Sequence, residues 1–148
     1  MRAHQAALAH VEGALKAAGL PPLAWYDVLA ALDAAGTCGL RPFTLERELM
    51  LPQYGLSRLL ARMAEAGLVQ RGNCPADGRG MLVVATDAGR EMRRKMWEVY
   101  GRALQEAVGR RLSSEESEGL AALLGRLIHP PEEVEDRLPE ATPAGSAG

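Results

Sequence analysis

The sequence predicts a mainly α-helical protein with one small β-hairpin. Its 148 residues are 47% hydrophobic and 4% aromatic, which is enough for one core but not for two domains of usual size. The apolar side chains are mostly Ala and Leu, and these favour helices. They recur at three- and four-residue spacing in several segments, which is the helical period. Two short Val- and Leu-rich runs flank a segment with Asp and Gly, as in a hairpin.

The first forty residues predict two helices. In MRAHQAALAHVEGALK, Leu8, Val11 and Leu15 recur at helical spacing and form one apolar stripe. The run LAWYDVLAAL predicts a core helix, and we expect Trp25 in the core because large aromatic side chains are usually buried in large part. No segment reaches the ~18 apolar residues of a membrane span, and the N-terminus lacks the apolar core of a signal peptide. We therefore expect a cytoplasmic protein without membrane contact.

A short helix is predicted to begin at Thr44. Threonine is a preferred N-cap residue, and two glutamates follow it where negative charge suits the positive end of a helix. Leu45, Leu49 and Met50 supply the apolar side of this helix. It would support the longer helix that comes next.

That longer helix is predicted over residues 52–66. Pro52 suits the first turn, where its missing N–H costs nothing, and Gly67 suits the left-handed position just past the end. The apolar face consists of Leu56, Leu59, Leu60 and Met63. The opposite face carries side chains that can donate hydrogen bonds to phosphates or reach base edges in a major groove. These side chains belong to Gln53, Tyr54, Ser57, Arg58 and Arg62.

The segment after Gly67 predicts the hairpin. LVQR and MLVVA are two short strand patterns, separated by GNCPADGRG, in which the Asp77-Gly78 step favours a tight turn. Arg79 would lie near the tip of this turn. Two short helices followed at once by a hairpin are the layout of a winged helix-turn-helix. The sequence thus predicts a DNA-binding regulator.

Two further apolar stripes lie downstream of the hairpin. One runs through a long segment from about Thr86 to Leu112 and consists of Met92, Met96, Val99, Ala103 and Ala107. The other follows Ser113 and Glu116, which stand at capping-box spacing, and consists of Leu120, Leu123, Leu124, Leu127 and Ile128. Together with the N-terminal stripe these surfaces need a cover, and a symmetric partner supplies one. A single monomeric helical core is the alternative.

The charge is unevenly distributed along the chain. The formal net charge is −2. Residues 1–40 hold two basic and three acidic side chains, residues 41–102 hold eleven and seven, and residues 103–148 hold four and nine. Positive charge therefore concentrates in the segment that the pattern assigns to DNA, while the chain ends are acidic.

Five short runs of residues are distinctive. They are T-L-E-R-E-L from Thr44, S-R-L-L-A-R-M from Ser57, E-A-G-L-V-Q-R from Glu65, P-A-D-G-R-G from Pro75 and T-D-A-G-R from Thr86. Together they resemble the MarR family of bacterial transcriptional regulators, and a weaker similarity extends over residues 5–128. Where many members carry an aspartate ahead of the wing proline, this chain has Cys74.

The resemblance implies a single domain over residues 1–128. Its winged helix-turn-helix core would span 22–86, with dimerisation helices at 1–18 and 87–128. Residues 129–148 are rich in proline, acidic and small side chains, which bury little surface, and we expect them to be disordered. The fold class is thus mainly α with a small β-hairpin wing and with dimerisation helices at both ends.

The resemblance also implies how the protein meets DNA. In that family the helix corresponding to residues 52–66 enters the major groove, and the wing arginine corresponding to Arg79 reaches the minor groove, oriented by Asp77. We expect a homodimer on a pseudo-palindromic double-stranded operator, acting as a repressor. The residues assigned to DNA binding are Thr44, Gln53, Tyr54, Ser57, Arg58, Arg62, Asp77 and Arg79.

A small aromatic effector is the second expectation from the family. There, aromatic molecules can bind between the dimerisation helices and the winged domain. The candidates for lining such a pocket are His10, Trp25 and Met96. The histidines lack metal-type spacing, and no nucleophile or phosphate-loop pattern occurs, so we expect no enzyme, no cofactor and no metal site.

Two alternatives remain open at the level of sequence. The first is a redox-responsive regulator acting through Cys74, since a reactive thiolate in the wing could disturb DNA contact. Against it, a disulfide with Cys38 is not expected in a reducing cytosol. The second is a protein-interaction module that kept the fold and lost DNA binding.

Overall fold

The computed structural model describes residues 2–49, 53–72 and 81–128. A 3-10 turn connects the second and third helices, and a π-helical turn extends the fifth. The chain divides into two compact units, Met1–Arg111 and Leu112–Gly148. The described elements are α1 (Arg2–Ala17), α2 (Leu23–Ala34), the 3-10 turn (Gly36–Cys38), α3 (Pro42–Leu49), α4 (Gln53–Glu65), β1 (Val69–Gly72), β2 (Leu82–Ala85), α5 (Asp87–Leu104), the π turn (Gln105–Gly109) and α6 (Ser114–Ile128). This order confirms the predicted mainly helical class with one hairpin.

The larger core joins α2, α3, α4 and the hairpin. Its buried members include the apolar faces that the helical spacing predicted, with Leu56 and Met63 from α4 and Leu45 from α3. Leu59 and Leu60 are only partly buried against the same cluster. The remaining buried members are Val28, Leu29, Leu32, Leu68, Val69, Val83 and Ala85.

The smaller core joins α1 and α5. Val11 and Leu15 pack with Met96 and Ala103, and all four are buried. The expectation that these two stripes need a second chain is therefore wrong for their inner residues, because each stripe covers the other within one chain. Trp25 packs against both cores, which confirms its predicted place in the interior.

The supporting helix α3 begins at Pro42, two residues before the predicted N-cap Thr44. The N–H of Leu45 already donates to the carbonyl of Arg41 at 3.1 Å, so the helical hydrogen bonds start ahead of Thr44. Proline explains the earlier start, because its fixed φ suits the first helical position and its missing N–H has no intrahelical partner there. Thr44 is thus a partly buried residue inside the first turn.

The end of α4 confirms the role of Gly67. Its φ is +72°, the left-handed region that glycine adopts without steric cost. The N–H of Gly67 donates to Ala64 at 2.9 Å and that of Leu68 to Met63 at 2.9 Å, which is the paired pattern of a Schellman motif. The predicted start of this helix at Pro52 lies outside the described residues.

The two predicted strands pair as an antiparallel hairpin. Val69 pairs with Ala85 at one end and Gly72 with Leu82 at the other. The sequence reading missed a third contact: Leu40 forms a bridge with Val83 on the free edge of β2, with two backbone hydrogen bonds of 3.0 and 2.8 Å. The hairpin is thereby anchored to the segment that leads into α3.

Thr86 joins the hairpin to α5. Its hydroxyl donates to the carbonyl of Gly67 at 2.7 Å and accepts the N–H of Gly89 at 3.1 Å, so one side chain caps α5 and contacts the end of α4. A side chain at Gly89 would collide with the carbonyl of Leu68. The close packing of α5 on the hairpin therefore requires glycine here.

In the second unit, α6 begins with the predicted capping box. The N–H of Ser113 donates to Oε2 of Glu116 at 2.8 Å, and the N–H of Glu116 donates to Oγ of Ser113 at 3.2 Å. The helix then presents a row of exposed leucines. They are Leu120, Leu123, Leu124 and Leu127, exposed by 42%, 59%, 49% and 81%.

Candidate nucleic-acid interface

The outward face of α4 carries the polar residues that helical spacing predicted. Ser57, Arg58 and Arg62 are exposed, whereas Leu56 and Met63 on the inner face are buried. Arg58 and Arg62 stand four residues apart, so their side chains leave the same side of the helix one turn apart. Gln53 begins α4 and Tyr54 follows it, so both belong to the same helix.

Both arginines of this face are without a partner among the residues that the structure describes. Over residues 2–49, 53–72 and 81–128, no hydrogen bond or ion pair holds the guanidinium of Arg58 or Arg62. An exposed guanidinium with free donors can contact phosphate or guanine without first breaking an internal bond. The chemistry of this face is thus that of an anion-binding surface.

Of the remaining residues predicted to contact DNA, one is described by the structure and two are not. Thr44 lies in the first turn of α3, which packs against α4. Asp77 and Arg79 belong to the hairpin loop 73–80, outside the described residues, and so does the predicted redox residue Cys74. The structure places the base of that loop, since Gly72 and Leu82 form the last described pair of the hairpin.

A groove beside the outward face of α4 was not predicted. It is a cavity of about 310 Å³ between α4 and the hairpin. Ser57 and Ala61 line one side, and Val69, Arg71 and Met81 line the other. Small residues at 57, 61 and 64 keep the helix surface low here, and their four- and three-residue spacing is the signal that could have revealed it.

The three candidate effector residues lie in different surroundings. Met96 is fully buried in the smaller core, and Trp25 packs against that same core. His10 instead lies on the surface of α1, where its Nε2 stands 3.2 Å from Oε2 of Glu106 and both side chains are about half exposed. The structure therefore groups Trp25 with Met96 and gives His10 a partner of its own.

An aromatic cluster that the sequence reading missed lies next to this region. The rings of Tyr26 and Trp97 are stacked with centroids 6.1 Å apart, and Tyr100 meets each of them edge-on at 5.1 and 5.6 Å. Burial raises the pKa of Tyr100, and the negative charge of Asp27 adds to this, followed by Tyr26. Trp97 and Tyr100 are three residues apart on α5, the spacing that could have revealed the cluster.

One carboxyl group near this cluster, that of Asp27 on α2, is also perturbed. Although Asp27 is exposed as a residue, partial burial of its carboxyl group raises its pKa, and Glu12 raises it further. The carboxylate of Glu12 accepts the N–H of Leu23 at 3.0 Å, which satisfies a free donor at the start of α2. The side chain of Glu12 thus links α1 to the start of α2.

Cys38 contradicts the expectation of two separate thiols. It is exposed at the end of the 3-10 turn, and it is disulfide-bonded. The prediction failed because it weighed only the reducing environment expected of the cytosol. The contact of the segment after Cys38 with β2 is a tertiary feature that the sequence pattern does not show.

Comparison with known proteins points to one family. The family model described as MarR family matches residues 18–80, which include α2, α3, α4 and β1. The chain is similar to the MarR family over these residues. This confirms the resemblance on which the site assignments depend. No match was found among curated protein sequences.

Several solved structures share the fold. A mutant of MarR from E. coli, complexed with operator DNA, is 26% identical with a TM-score of 0.71, and the alignment covers 85% of this chain and 88% of that one. AbsC from Streptomyces coelicolor is 26% identical with a TM-score of 0.74, over 85% and 84%. CouR from Rhodococcus jostii RHA1, bound to p-coumaroyl-CoA, is 23% identical with a TM-score of 0.77, over 87% and 88%, and supports the fold alone.

The same matches bear on the class of protein. MarR-family members are transcriptional regulators rather than enzymes, as predicted. Among the described residues, no group of three or more His, Cys, Asp or Glu side chains could hold a metal ion. None of the described helices is long and apolar enough to cross a membrane.

Proposed function

We propose that this protein is a sequence-specific DNA-binding transcriptional regulator that inserts α4 into the major groove. The observation that carries the proposal is the exposed face of α4, where Arg58 and Arg62 have no partner among the described residues while the opposite face is buried. A relative 26% identical over 85% of the chain is complexed with operator DNA. Gln53, Tyr54 and Ser57 share this helix and would add phosphate or base contacts.

The wing supplies the second contact in this proposal. The hairpin is anchored on both edges of β2, by β1 and by Leu40, so the loop 73–80 starts from a fixed base. Arg79 in this loop would enter the minor groove, with Asp77 orienting it. Thr44, in the helix that packs against α4, would contact the backbone beside the groove.

We further propose a homodimer on a pseudo-palindromic operator. The leucine row of α6 supports it, because four exposed leucines on one helix form an apolar surface of the kind that a symmetric partner covers. In this arrangement residues 1–18 and 87–128 form the dimer and residues 22–86 the winged core of one domain over 1–128. Two recognition helices related by a two-fold axis would meet half-sites roughly 10 base pairs apart.

A direct test combines sedimentation with DNA binding. We expect a dimer at micromolar concentration and a gel shift with the promoter region upstream of the protein's own gene, abolished by competitor carrying the same site. Binding to that promoter no tighter than to unrelated DNA would refute the proposal and favour a protein-interaction module on the same fold. A monomer by sedimentation would refute the symmetric operator.

Repression relieved by a small aromatic effector is the finer part of the proposal. Trp25 supports it, because this side chain contacts both the core of the winged domain and the core that joins α1 and α5. A ligand that moved Trp25 would therefore act on both, and it must prefer one arrangement to change DNA affinity. Met96 and His10 would complete the pocket. Because Met96 is fully buried, a ligand would reach it only after neighbouring side chains move.

The effector can be tested with the chain's own fluorescence. Trp97→Phe removes the second tryptophan, so the remaining emission reports Trp25. We expect salicylate-like compounds to quench this emission and to lower operator affinity by roughly 5 to 150-fold, the usual range of allosteric coupling. Quenching without loss of DNA affinity would separate binding from regulation and refute the effector role.

A redox-responsive regulator is the second candidate function. The observation that favours it is the disulfide bond of Cys38 in an exposed turn, because exposed disulfides are those most readily reduced and reformed. The test is the operator affinity measured after treatment with peroxide and after treatment with dithiothreitol. Equal affinities would exclude this candidate.

A further inference from the structure

We propose that the aromatic cluster between α2 and α5 binds a small organic cation of the aryl ammonium class. The cluster consists of the rings of Tyr26, Trp97 and Tyr100, and the carboxylates of Glu12 and Asp27 lie beside it. These side chains are not the ones proposed above to bind an aromatic acid. Binding of a cation here does not depend on the proposed DNA-binding function.

The three rings form one partly exposed surface. Trp97 stacks on Tyr26 with ring centroids 6.1 Å apart, and Tyr100 meets the two rings edge-on at 5.1 and 5.6 Å. Both tyrosines pack against the smaller core, whereas Trp97 is 51% exposed. The indole is therefore held by its neighbours and still open to solvent. Among side chains, the face of an indole attracts cations best.

Helix α5 leaves a face of this indole uncovered at residue 101. A methyl group built on Gly101 would lie 3.6, 3.7 and 3.8 Å from Cε2, Cζ2 and Cδ2 of Trp97. The three distances are nearly equal, so the methyl group would lie over the ring face, because an approach in the ring plane would give unequal distances. A side chain at residue 101 would thus cover part of the indole.

Close packing does not explain why residue 101 is glycine. It lies inside α5, which runs to Leu104 and continues into the π turn, and glycine is unfavourable in a helix interior relative to alanine. The nearest contact of an added methyl group would be 3.6 Å, an ordinary van der Waals distance. Gly89 differs, because a side chain there would collide with the carbonyl of Leu68. An open indole face gives Gly101 a reason that packing does not.

Negative charge lies beside the rings. Asp27 follows Tyr26 on α2, one turn after Leu23, whose N–H donates to the carboxylate of Glu12 at 3.0 Å. No described side chain forms a hydrogen bond or ion pair with the carboxylate of Asp27. Burial raises the pKa of Asp27 and that of Tyr100, and the charge of Glu12 adds to the first while that of Asp27 adds to the second. The cluster thus combines ring faces with a carboxylate that lacks a cation.

This combination selects the class of ligand. The carboxylates attract positive charge and repel an aromatic acid, whose own carboxylate would lie close to Asp27. The ring faces favour a large, weakly hydrated cation over a small metal ion, and a ring on the ligand can stack on the indole of Trp97. An aryl ammonium satisfies both conditions in one molecule.

Isothermal titration calorimetry of the full-length protein tests the site without DNA. The probe is phenyltrimethylammonium chloride at pH 8, and N,N-dimethylaniline, which lacks the charge and one methyl group, is the neutral comparison. We expect saturable binding of the cation and roughly 2 to 30-fold weaker binding of the neutral probe, the range of cation–π contributions. Equal affinities, or no saturable binding of the cation, would overturn the proposal.

Three variants test the individual contributions. Trp97→Leu keeps an apolar side chain but removes the indole face, and Asp27→Asn keeps the shape but removes the charge. Each should weaken binding of phenyltrimethylammonium by roughly 2 to 30-fold and affect N,N-dimethylaniline less. Gly101→Ala should also weaken binding, although its unfolding midpoint in urea should equal or exceed that of the wild type, because alanine favours the helix.

The matched control is Asp33→Asn, the same chemical change on the same helix. Asp33 pairs with Arg93, so this variant should bind phenyltrimethylammonium as the wild type does. An equal loss with Asp33→Asn and Asp27→Asn would mean that the cation responds to overall charge, and this would overturn the site. Wild-type affinity in any one of the Trp97→Leu, Asp27→Asn and Gly101→Ala variants would overturn it as well.

Discussion

The helices α4 and α5 both carry basic residues, but these residues have different roles. On α4, Arg58 and Arg62 are exposed and no described group holds them. On α5 all five basic side chains have a partner. Arg90 donates to the carbonyl of Ala85, Arg93 pairs with Asp33, Arg94 and Lys95 pair with Glu91, and Arg102 donates to the carbonyl of Glu98.

This difference changes how the charge of the sequence should be read. Residues 41–102 have a surplus of four positive charges, yet three of the cations in α5 pair with nearby carboxylates, two of them sharing Glu91. Net charge along a segment therefore overstates its DNA-binding surface. The useful quantity is the number of exposed cations without an internal partner, and for the described part of α4 that number is two.

The largest expected effect concerns the buried inner faces, where α4 and α5 are alike. Met63 on α4 and Met96 on α5 are both fully buried, one in each core. Met63→Ala and Met96→Ala should each lower the free energy of unfolding by ~2 to 5 kcal/mol, because truncation removes apolar contacts and leaves a cavity. Urea denaturation measures this loss.

A control keeps this result specific. Lys95→Ala, on the exposed side of α5, should change the free energy of unfolding by less than about 0.5 kcal/mol. If Met96→Ala were as mild as the control, the smaller core would not contribute to folding in the way that its burial indicates.

The second prediction compares the outer faces of α4 and α5 by their effect on operator binding. Arg58→Ala should weaken operator binding and reduce the slope of log affinity against log salt concentration by about one for each protomer, because one phosphate contact is lost. Arg94→Ala is the matched control, since Arg94 is exposed but pairs with Glu91 on its own helix. Fluorescence anisotropy with labelled operator at several salt concentrations measures both.

The outcome decides which helix meets DNA. A loss with Arg94→Ala equal to that with Arg58→Ala would contradict the assignment of the interface to α4. Both variants should keep the wild-type unfolding midpoint, because surface charges of this kind contribute little to stability.

Local signals made most of the fold predictable from sequence. Helical spacing identified Leu56 and Met63 as buried, Gly67 marked the end of α4, and Ser113 with Glu116 marked the start of α6. Each of these features depends on residues within one or two helical turns. The outward face of α4 follows from the same period, so the exposure of Ser57, Arg58 and Arg62 was predictable as well.

Contacts between distant segments were not predictable from the same signals. The bridge between Leu40 and Val83 joins residues far apart in the sequence, and so does the ion pair of Arg93 with Asp33. The burial of Val11 against α5 also required the tertiary fold, and this is why a partner chain was expected to cover inner residues that cover each other within one chain.

A smaller effect is expected for the ion pair that holds α5 to α2. Nη2 of Arg93 lies 2.7 Å from Oδ2 of Asp33, and about a third of each side chain is exposed. A double-mutant cycle with Arg93→Ala and Asp33→Ala should give a coupling energy of ~0.2 to 1 kcal/mol, since solvent screens the pair. A coupling near zero would mean that Arg93 is as free as Arg58, and the contrast between the two helices would lose its clearest example.

The smallest effect on stability is expected for Asp27, the other carboxylate of α2. Its charge should destabilise the folded protein, whereas that of Asp33 should stabilise it. The pKa of Asp27 is raised above its ordinary value of 3.8, first by partial burial and then by Glu12. The folded protein therefore holds this proton more tightly than the unfolded chain does. The contribution of Asp27 to stability falls as pH rises from about its ordinary pKa through the raised one, and stays low above it.

Asp27→Asn should thus raise the melting temperature slightly at pH 7 and leave it unchanged at pH 3, where the wild-type carboxyl is protonated in both states. Asp33→Asn is the matched control on the same helix, and it should lower the melting temperature at pH 7 because Arg93 loses its partner. Thermal denaturation followed by circular dichroism at the two pH values measures these shifts. If both variants lowered the melting temperature at pH 7, the charged carboxylate of Asp27 would be stabilising the folded protein, as that of Asp33 does. Partial burial beside Glu12 would then not be the main influence on the pKa of Asp27.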